Sequence, residues 1–323
     1  MHTSIPRAVV ALLLASSALP VCAQSWPSKP FHFIIPYQPG GIVDAAARNI
    51  APKITEALGQ QVIIENKPGA SGFIGMSFVA KAQPDGYTYV LATLGDFTVN
   101  PSLFKDIPFS VEKDFMPVAT LTSTPTLLAV NAATTYRNAA DVIADAKSRP
   151  GKISYASSGN GSINQIVMES LALNTGTKFQ HIPYKGGAPA STAVAAGDLP
   201  MGILAITGAI PFMKSGKIRV LAATNNKRLE TNPEWPTLKE AGLLEIEGSN
   251  WVAMMAPKGT PPEIVDKMNA ELGKILRQPD VKQRLAATGG ETIPSTVAEF
   301  AQRLKTETAA YREIVQNANI QPE

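Results

Sequence analysis

The chain alternates between short continuous apolar runs and longer segments in which apolar residues recur every three or four positions. The runs at 31–35, 62–65 and 87–93 predict buried strands. Between the first two runs, helical spacing is carried by Ala46, Ala47, Ile50, Ile54 and Leu58. Strand, helix and strand in such short succession indicate a parallel sheet with right-handed crossovers.

A second alternation begins near residue 139 and predicts a second sheet. Strands are expected at 153–156, 179–183, 199–206 and 218–223, with helical segments between them. The C-terminal part beyond residue 256 is mostly helical in pattern. We therefore expect an α/β protein in which each sheet is mixed, mostly parallel and flanked by helices.

Two segments predict where the chain passes from one sheet to the other. Apolar runs at 118–121 and 126–130 are separated by Thr124 and Pro125, and the run at 251–256 is typical of a buried strand that returns. About 300 residues are more than one domain usually holds. We therefore expect lobe 1 to comprise residues 24–122 and 251–323, lobe 2 to comprise residues 123–250, and two crossing strands to join them.

Residues 1–23 have the features of a secretory signal peptide. Arg7 supplies a positive charge, a short apolar run follows, and small residues precede a cut after Ala23. We expect export to the periplasm by this route; the alternative is a lipoprotein signal that uses Cys22 as its anchor. Cleavage after Ala23 removes the only cysteine, so we expect no disulfide and no thiol chemistry. No later apolar run is long enough to span a bilayer.

The composition is that of a globular protein, with 45% hydrophobic and 17% charged residues. Removing Arg7 with the signal lowers the formal net charge from +3 to +2. This charge is too small to indicate binding to nucleic acid or to an anionic membrane surface.

Glycine-rich turns recur where a predicted strand meets a predicted helix. They lie at 40–41, 69–72, 159–161 and 186–187. Glycine lets the backbone approach a ligand closely, and the N–H groups at a helix N-terminus attract anions. Ligands of open α/β sheets bind at the carboxyl ends of the strands. Turns of two facing sheets would therefore clamp a ligand with anionic groups at both ends; the alternative is that the glycines serve packing alone.

Candidate catalytic and metal-binding residues are sparse. After cleavage the histidines are His32, which we expect to be structural, and His181, which lies near a glycine-rich turn. The sequence contains no P-loop, G-x-S-x-G, G-x-G-x-x-G or H-E-x-x-H motif, and its carboxylates lack metal-ligand spacing. We therefore expect no enzyme, no cofactor and no metal. The alternative is a secreted hydrolase that uses His181.

Several longer motifs resemble those of the periplasmic solute receptors of tripartite tricarboxylate transporters, the Bug receptors. The similarity runs from about Trp26 to Ile320. Its motifs are W-P-x-K-P at 26–30, I-P-x-x-P-G-G-x-x-D at 35–44, V-I-I-E-N-K-P-G-A-S-G at 62–72, P-D-G-Y-T at 84–88, Y-A-S-S-G-N-G-S at 155–162, H-I-P-Y-K-G-G-A-P-A at 181–190 and P-K-G-T-P-P-E-I-V-D-K-M-N at 257–269.

This resemblance implies a two-lobed periplasmic-binding-protein fold, of the Venus-flytrap, type II-like kind. It also implies capture of a small carboxylate between the lobes and delivery to the membrane permease subunits of a tripartite tricarboxylate transporter. We expect a monomer that binds no nucleic acid. A structural or sensor-coupled protein would keep the fold but bind nothing small in its cleft.

The resemblance also selects site residues. Tyr37, Gly40, Gly41, Ile42 and Asp44 come from the first turn, where Asp44 is expected to cap a helix, hold water or keep the turn in shape, because its charge would repel an anion. The other wall is expected to contain Ser158, Asn160, Ser162, Gly187, Ala188 and Ala190.

The nature of the ligand is predicted from apolar positions. Family members often carry an acidic or amide residue in the strand after the 181–190 motif, whereas the run at 201–206 is apolar throughout. Leu204 and Phe97, with Phe73, would then provide apolar walls. We expect a dicarboxylate with an apolar or aromatic middle, such as terephthalate or adipate. An amino-acid or citrate-type receptor is the alternative, and Leu204 could instead simply pack in the sheet.

Overall fold

The computed structural model describes residues 26–229, 231–246, 248–287, 289–318 and 320, and the predicted signal segment 1–23 lies outside them. The strands in this part of the chain form two separate sheets. Within the same ranges, no helix combines the length and the apolar character needed to cross a bilayer.

The first sheet has six strands. They are β1 (Phe31–Ile35), β2 (Val62–Asn66), β3 (Thr88–Thr93), β4 (Phe115–Thr124), β10 (Asn250–Pro257) and β11 (Glu291–Thr292). Their order in the sheet is β11-β4-β10-β3-β1-β2. β1 is parallel to β2 and β3, as its apolar pattern predicts, whereas β10 is antiparallel to both β3 and β4.

The second sheet has five strands. They are β5 (Thr126–Asn131), β6 (Ser154–Ser157), β7 (Gln180–Pro183), β8 (Met201–Ala205) and β9 (Ile218–Ala223), in the order β7-β6-β8-β5-β9. β6 is parallel to β7 and β8, and β5 is antiparallel to β8 and β9. β8 is shorter than predicted, because the N–H of Ile206 donates to the Pro125 carbonyl and a helix begins there.

Helices flank both sheets. They are α1 (Ile42–Leu58), α2 (Phe73–Ala80), α3 (Asn100–Leu103), α4 (Val111–Asp114), α5 (Ala139–Ser148), α6 (Ile163–Thr175), α7 (Gly187–Ala196), α8 (Ile206–Lys214), α9 (Pro262–Leu276), α10 (Pro279–Ala287) and α11 (Val297–Asn317). α1, α6 and α7 each follow a strand through a glycine-rich turn, so their N-termini lie at the carboxyl ends of the strands.

The sheets are joined where β4 runs into β5 with one residue, Pro125, between them. The chain returns along β10, whose first residue Asn250 pairs with Thr124 at the end of β4. Both connections therefore lie side by side. The lobe boundaries at residues 122 and 250 remain predictions.

One apolar core extends through both sheets. It contains Val90 of β3 and Trp251 of β10 together with Val130 of β5 and Tyr155 of β6, all of them buried. Two further clusters lie where α1 and α9 cover the first sheet and where α7 and α8 cover the second. This shared core holds the two sheets together beside the cleft.

Gly75 lies inside α2 against the backbone of Pro36. A Cβ at this position would come within 2.9 Å of the Pro36 Cα and 3.0 Å of the Lys67 carbonyl oxygen. We expect Gly75→Ala to lower the free energy of unfolding by about 1–3 kcal/mol, because backbone atoms must move. Urea denaturation measures the change.

The matched control is Gly273→Ala in α9. There the nearest atom to a new Cβ is the movable Nη1 of Arg277, at 3.0 Å. Alanine should stabilise this helix by up to about 1 kcal/mol relative to glycine. A stabilisation of the same size at Gly75 would contradict the close approach to Pro36.

Candidate functional site

A cleft of about 640 Å³ lies between the two sheets at the carboxyl ends of their strands. Its lining comes from the segment after β1 (37–44), from Thr93 and Gly95 at the end of β3, from Ser158 and residues 161–164 at the start of α6, and from Asn250 on β10. This volume falls in the range of roughly 300–1,000 Å³ that is typical of small-molecule sites.

The N-terminus of α1 opens into this cleft. The N-cap is Gly41, which has no side chain to accept from the first N–H groups of the helix, and no described side chain caps it. The first helical bond runs from Ala45 N to the Gly41 carbonyl at 2.9 Å. The N–H groups of Ile42, Val43 and Asp44 therefore lack an intrahelical acceptor and, with the helix dipole, favour an anion.

Asp44 shapes this turn from inside the helix. One carboxylate oxygen accepts from Gly40 N at 3.0 Å and from Arg48 Nε at 2.8 Å, and the other accepts from Arg48 Nη2 at 3.0 Å and Asn66 Nδ2 at 3.2 Å. The hydrogen bond from Arg48 lowers the pKa of Asp44. The expected capping role is wrong, because Gly41 occupies the N-cap, but Asp44 does tie Gly40 to α1.

The opposite wall is the N-terminus of α6. Its N-cap Ser162 accepts from Gln165 N and donates to the Gly159 carbonyl at 2.6 Å. Ser158 donates to Asn164 Oδ1 at 2.7 Å, and Asn164 donates in turn to the Ile203 carbonyl at 2.6 Å. These hydroxyl groups are therefore engaged within their own wall. Unlike α1, this helix has a side-chain cap on the N–H of Gln165, while the N–H groups of Ile163 and Asn164 have no intrahelical acceptor.

An apolar contact joins the α6 turn to a helix that follows β3. Gly161 has φ +71°, and a Cβ there would lie 2.4 Å from Cδ2 of Leu103. Leu103 is the last residue of α3, which lies in the chain between β3 and β4 of the first sheet, and its side chain is buried. Glycine at this position allows the α6 turn to approach α3.

A buried carboxylate lies behind the first wall. Asp96 follows β3 and accepts at Oδ2 from Thr93 N at 2.8 Å, from Thr93 Oγ1 at 2.7 Å and from the hydroxyl of Tyr37. Burial raises the pKa of Asp96, and burial followed by the charge of Asp96 raises the pKa of Tyr37 well above its ordinary value. Tyr37 and Thr93 line the cleft.

Seven of the thirteen predicted site residues line the cleft: Tyr37, Gly40, Gly41, Ile42, Asp44, Ser158 and Ser162. Asn160, Gly187, Ala188 and Ala190 are not among its lining residues. Ala190 is buried in the cluster under α7, and the Gly187 carbonyl lies 3.1 Å from where a Cβ of Gly208 would be. Gly187 thus packs against α8, whereas Ala188 is exposed. A role of Gly187 and Ala188 in binding stays a prediction.

Phe97 and Leu204 do not form apolar walls of the cleft. Phe97 is 1% exposed and stacks on Trp251, with ring centroids 6.0 Å apart. Leu204 is fully buried in the cluster of the second sheet, which agrees with the alternative that it packs in the sheet. Phe73 packs edge-on against Phe104 and is likewise outside the cleft lining.

Sequence reasoning missed Thr93, Asn164, Asn250 and the buried Asp96. Two polar residues in the sequence could have indicated the cleft at this end of the first sheet. Thr93 is a polar residue at the carboxyl end of an apolar strand, and Asp96 interrupts an apolar segment three residues later. Asn250 has no such signal, because its place in the cleft depends on the return of β10 from the second sheet.

His32 and His181, the histidines in the described part of the chain, lie outside the cleft lining. His32 Nδ1 lies 2.7 Å from Glu65 on the neighbouring strand β2. His181 Nε2 lies 2.5 Å from Ser157 Oγ, and its ring stacks on Tyr155. Ser157 is fully buried, and neither Ser157 nor His181 lines the cleft, so this pair is poorly placed to attack a substrate. Within the described residues, no three His, Cys, Asp or Glu side chains group as a metal site.

Comparisons with known proteins agree on one family. The model of the "Tripartite tricarboxylate transporter family receptor" matches residues 46–320. Protein BugT of Bordetella pertussis is 34% identical over 292 residues, covering 90% of each chain.

Solved structures give the same result. A structure from R. palustris with adipate is 32% identical, with a TM-score of 0.79, and the alignment covers 92% of this chain and 100% of the other. MatC from Rhodopseudomonas palustris with bound malate is 29% identical, with a TM-score of 0.74 and coverage of 90% and 100%.

The burial of Phe97 predicts a structural effect of its removal. Phe97→Ala should lower the free energy of unfolding by about 3–5 kcal/mol, because it leaves a cavity beside Trp251. Phe97→Leu retains most of the apolar volume and should fold and keep the affinity of the wild type for its ligand. Urea denaturation measures the stability of Phe97→Ala, and calorimetric titration measures the affinity of Phe97→Leu. Altered ligand selectivity in Phe97→Leu would show that this side chain contacts the ligand.

His181 predicts a dependence of stability on pH. Burial lowers its pKa from 6.5 to about 4. Between these values the unfolded chain binds a proton that the folded chain does not, so the free energy of unfolding falls as the pH drops from 6.5 to 4. His181→Gln removes this contribution, and its stability should fall less steeply over that window. Urea denaturation at several pH values tests this; parallel slopes for the two proteins would contradict it.

Proposed function

Because this chain belongs to the tripartite tricarboxylate transporter receptor family, we propose that it binds a small carboxylate in the cleft and delivers it to the permease subunits of such a transporter. It does so as a monomer in the periplasm, after removal of residues 1–23 by a cut following Ala23. Its role is binding and not catalysis.

The observation that carries this proposal is the pair of helix N-termini at the cleft. α1 starts at a glycine that cannot cap it, and α6 starts across the cleft behind hydroxyl groups already engaged in its own wall. Both helices offer backbone N–H groups and partial positive charge to the same space. A ligand with a carboxylate at each end satisfies both.

The ligand class that fits best is a dicarboxylate. Solved relatives contain adipate and malate, which both carry two carboxylates. The apolar or aromatic middle expected from the sequence depended on Phe97 and Leu204, and both side chains lie in the core. The proposal therefore retains the two carboxylates and does not extend to terephthalate.

A thermal-shift panel tests the proposal. The purified protein is melted with aliphatic dicarboxylates, terephthalate, citrate and amino acids. A ligand present at about 100 times its Kd should add about 2.7 kcal/mol to the free energy of unfolding. We expect a raised midpoint with at least one dicarboxylate. A panel in which no carboxylate raises the midpoint would refute the receptor function.

Ile42→Pro tests the role of the backbone in the same assay. It removes one N–H from the start of α1, at a position where proline suits the helix, and the ψ of 175° at Gly41 is compatible with a following proline. We expect affinity to fall by at least about tenfold, the size of one hydrogen bond to a charged group. Ile42→Val keeps the N–H and should bind as the wild type does; equal losses would assign the effect to the side chain.

A further inference from the structure

The first wall of the cleft carries a pair of hydroxyl groups, on Tyr37 and Thr93, that both donate their hydrogens to the buried Asp96. Asp96 Oδ2 receives Thr93 Oγ1 at 2.7 Å, Thr93 N at 2.8 Å and the Tyr37 hydroxyl. Asp96 itself is 3% exposed, so water does not replace these donors. Three donors aimed at one oxygen require that this oxygen be an acceptor.

The hydroxyl groups of Tyr37 and Thr93 have no hydrogen left to donate to a ligand. A tyrosine and a threonine hydroxyl each have one hydrogen and two lone pairs. Both hydrogens are directed to Asp96, and the two hydroxyl oxygens lie 3.1 Å from each other. Since Tyr37 and Thr93 both line the cleft, they can contribute only acceptors to it.

We infer that Asp96 is a specificity-determining residue, which acts through Tyr37 and Thr93 to select a carboxylate that carries a hydroxyl or ammonium group on its carbon chain. This inference rests on the proposed function and deepens it. The N–H groups of α1 bind a carboxylate, and the acceptor pair, Tyr37 and Thr93, binds the donor on the carbon chain beside it. An unsubstituted dicarboxylate would leave the two acceptors without a partner, which costs affinity.

Matched ligands isolate the donor. Calorimetric titration of the full protein compares succinate with malate and aspartate, and glutarate with 2-hydroxyglutarate and glutamate. Within each set the carbon chain and carboxylates are constant and only the substituent changes. We expect at least one donor-bearing member to bind about tenfold tighter than its unsubstituted partner, the size of one well-made hydrogen bond.

Variants test whether Asp96 and its partners produce this affinity ratio, defined as the affinity for the donor-bearing ligand divided by that for its unsubstituted partner. In Asp96→Asn the amide can itself donate, which releases a hydroxyl hydrogen toward the cleft. The affinity ratio should therefore fall to near one or invert. Tyr37→Phe and Thr93→Val remove one acceptor each and should also reduce it. Asp145→Asn is the matched control, because Asp145 accepts from Tyr136 at 2.6 Å on α5, outside the cleft lining. It should leave the ratio unchanged.

The outcomes separate the inference from the proposed function. If carboxylates bind but donor-bearing ligands are no tighter than their partners, the inference is overturned and the receptor function stands. If no carboxylate binds, both fall. Because the readout is a ratio, a general loss of stability does not imitate it. If Asp96→Asn does not fold, Tyr37→Phe decides: an unchanged ratio overturns the inference.

Discussion

The constraint on which this structure depends is that backbone N–H groups at the start of a helix need an acceptor from outside the helix. α1 begins at a glycine, and the nearby carboxylate of Asp44 is held by Gly40, Arg48 and Asn66. The acidic group that could have neutralised the turn therefore shapes it instead, and the free donors remain directed at the cleft. Arg48 and Asn66 hold this carboxylate without lying in the cleft lining themselves.

The sheet topology brings a second helix start to the same place. Parallel strands followed by helices put every helix N-terminus at the carboxyl edge of its sheet. The connections at Pro125 and β10 lie side by side, and residues around Trp251 and Tyr155 form one core between the sheets. Two ordinary strand-to-helix turns thereby become opposite walls of one cleft.

Local pattern predicted much of this. The apolar runs identified the strands, and the glycines at 40–41 and 159–161 identified both walls of the cleft. What local pattern could not predict was which residues near strand ends face the ligand. Phe97 is buried by Trp251, about 150 residues away in the chain, and Ala190 is buried in the cluster under α7. Both outcomes depend on tertiary packing, as does the placement of Asn250.

The contact between Leu103 and Gly161 has a consequence for the temperature dependence of the cleft. Leu103 is buried, and the turn at Gly161 lies against it. Separating this turn from α3 would expose the apolar side chain to water, so the hydrophobic effect opposes that separation. Because hydrophobic stabilisation weakens on cooling, this opposition weakens at low temperature as well.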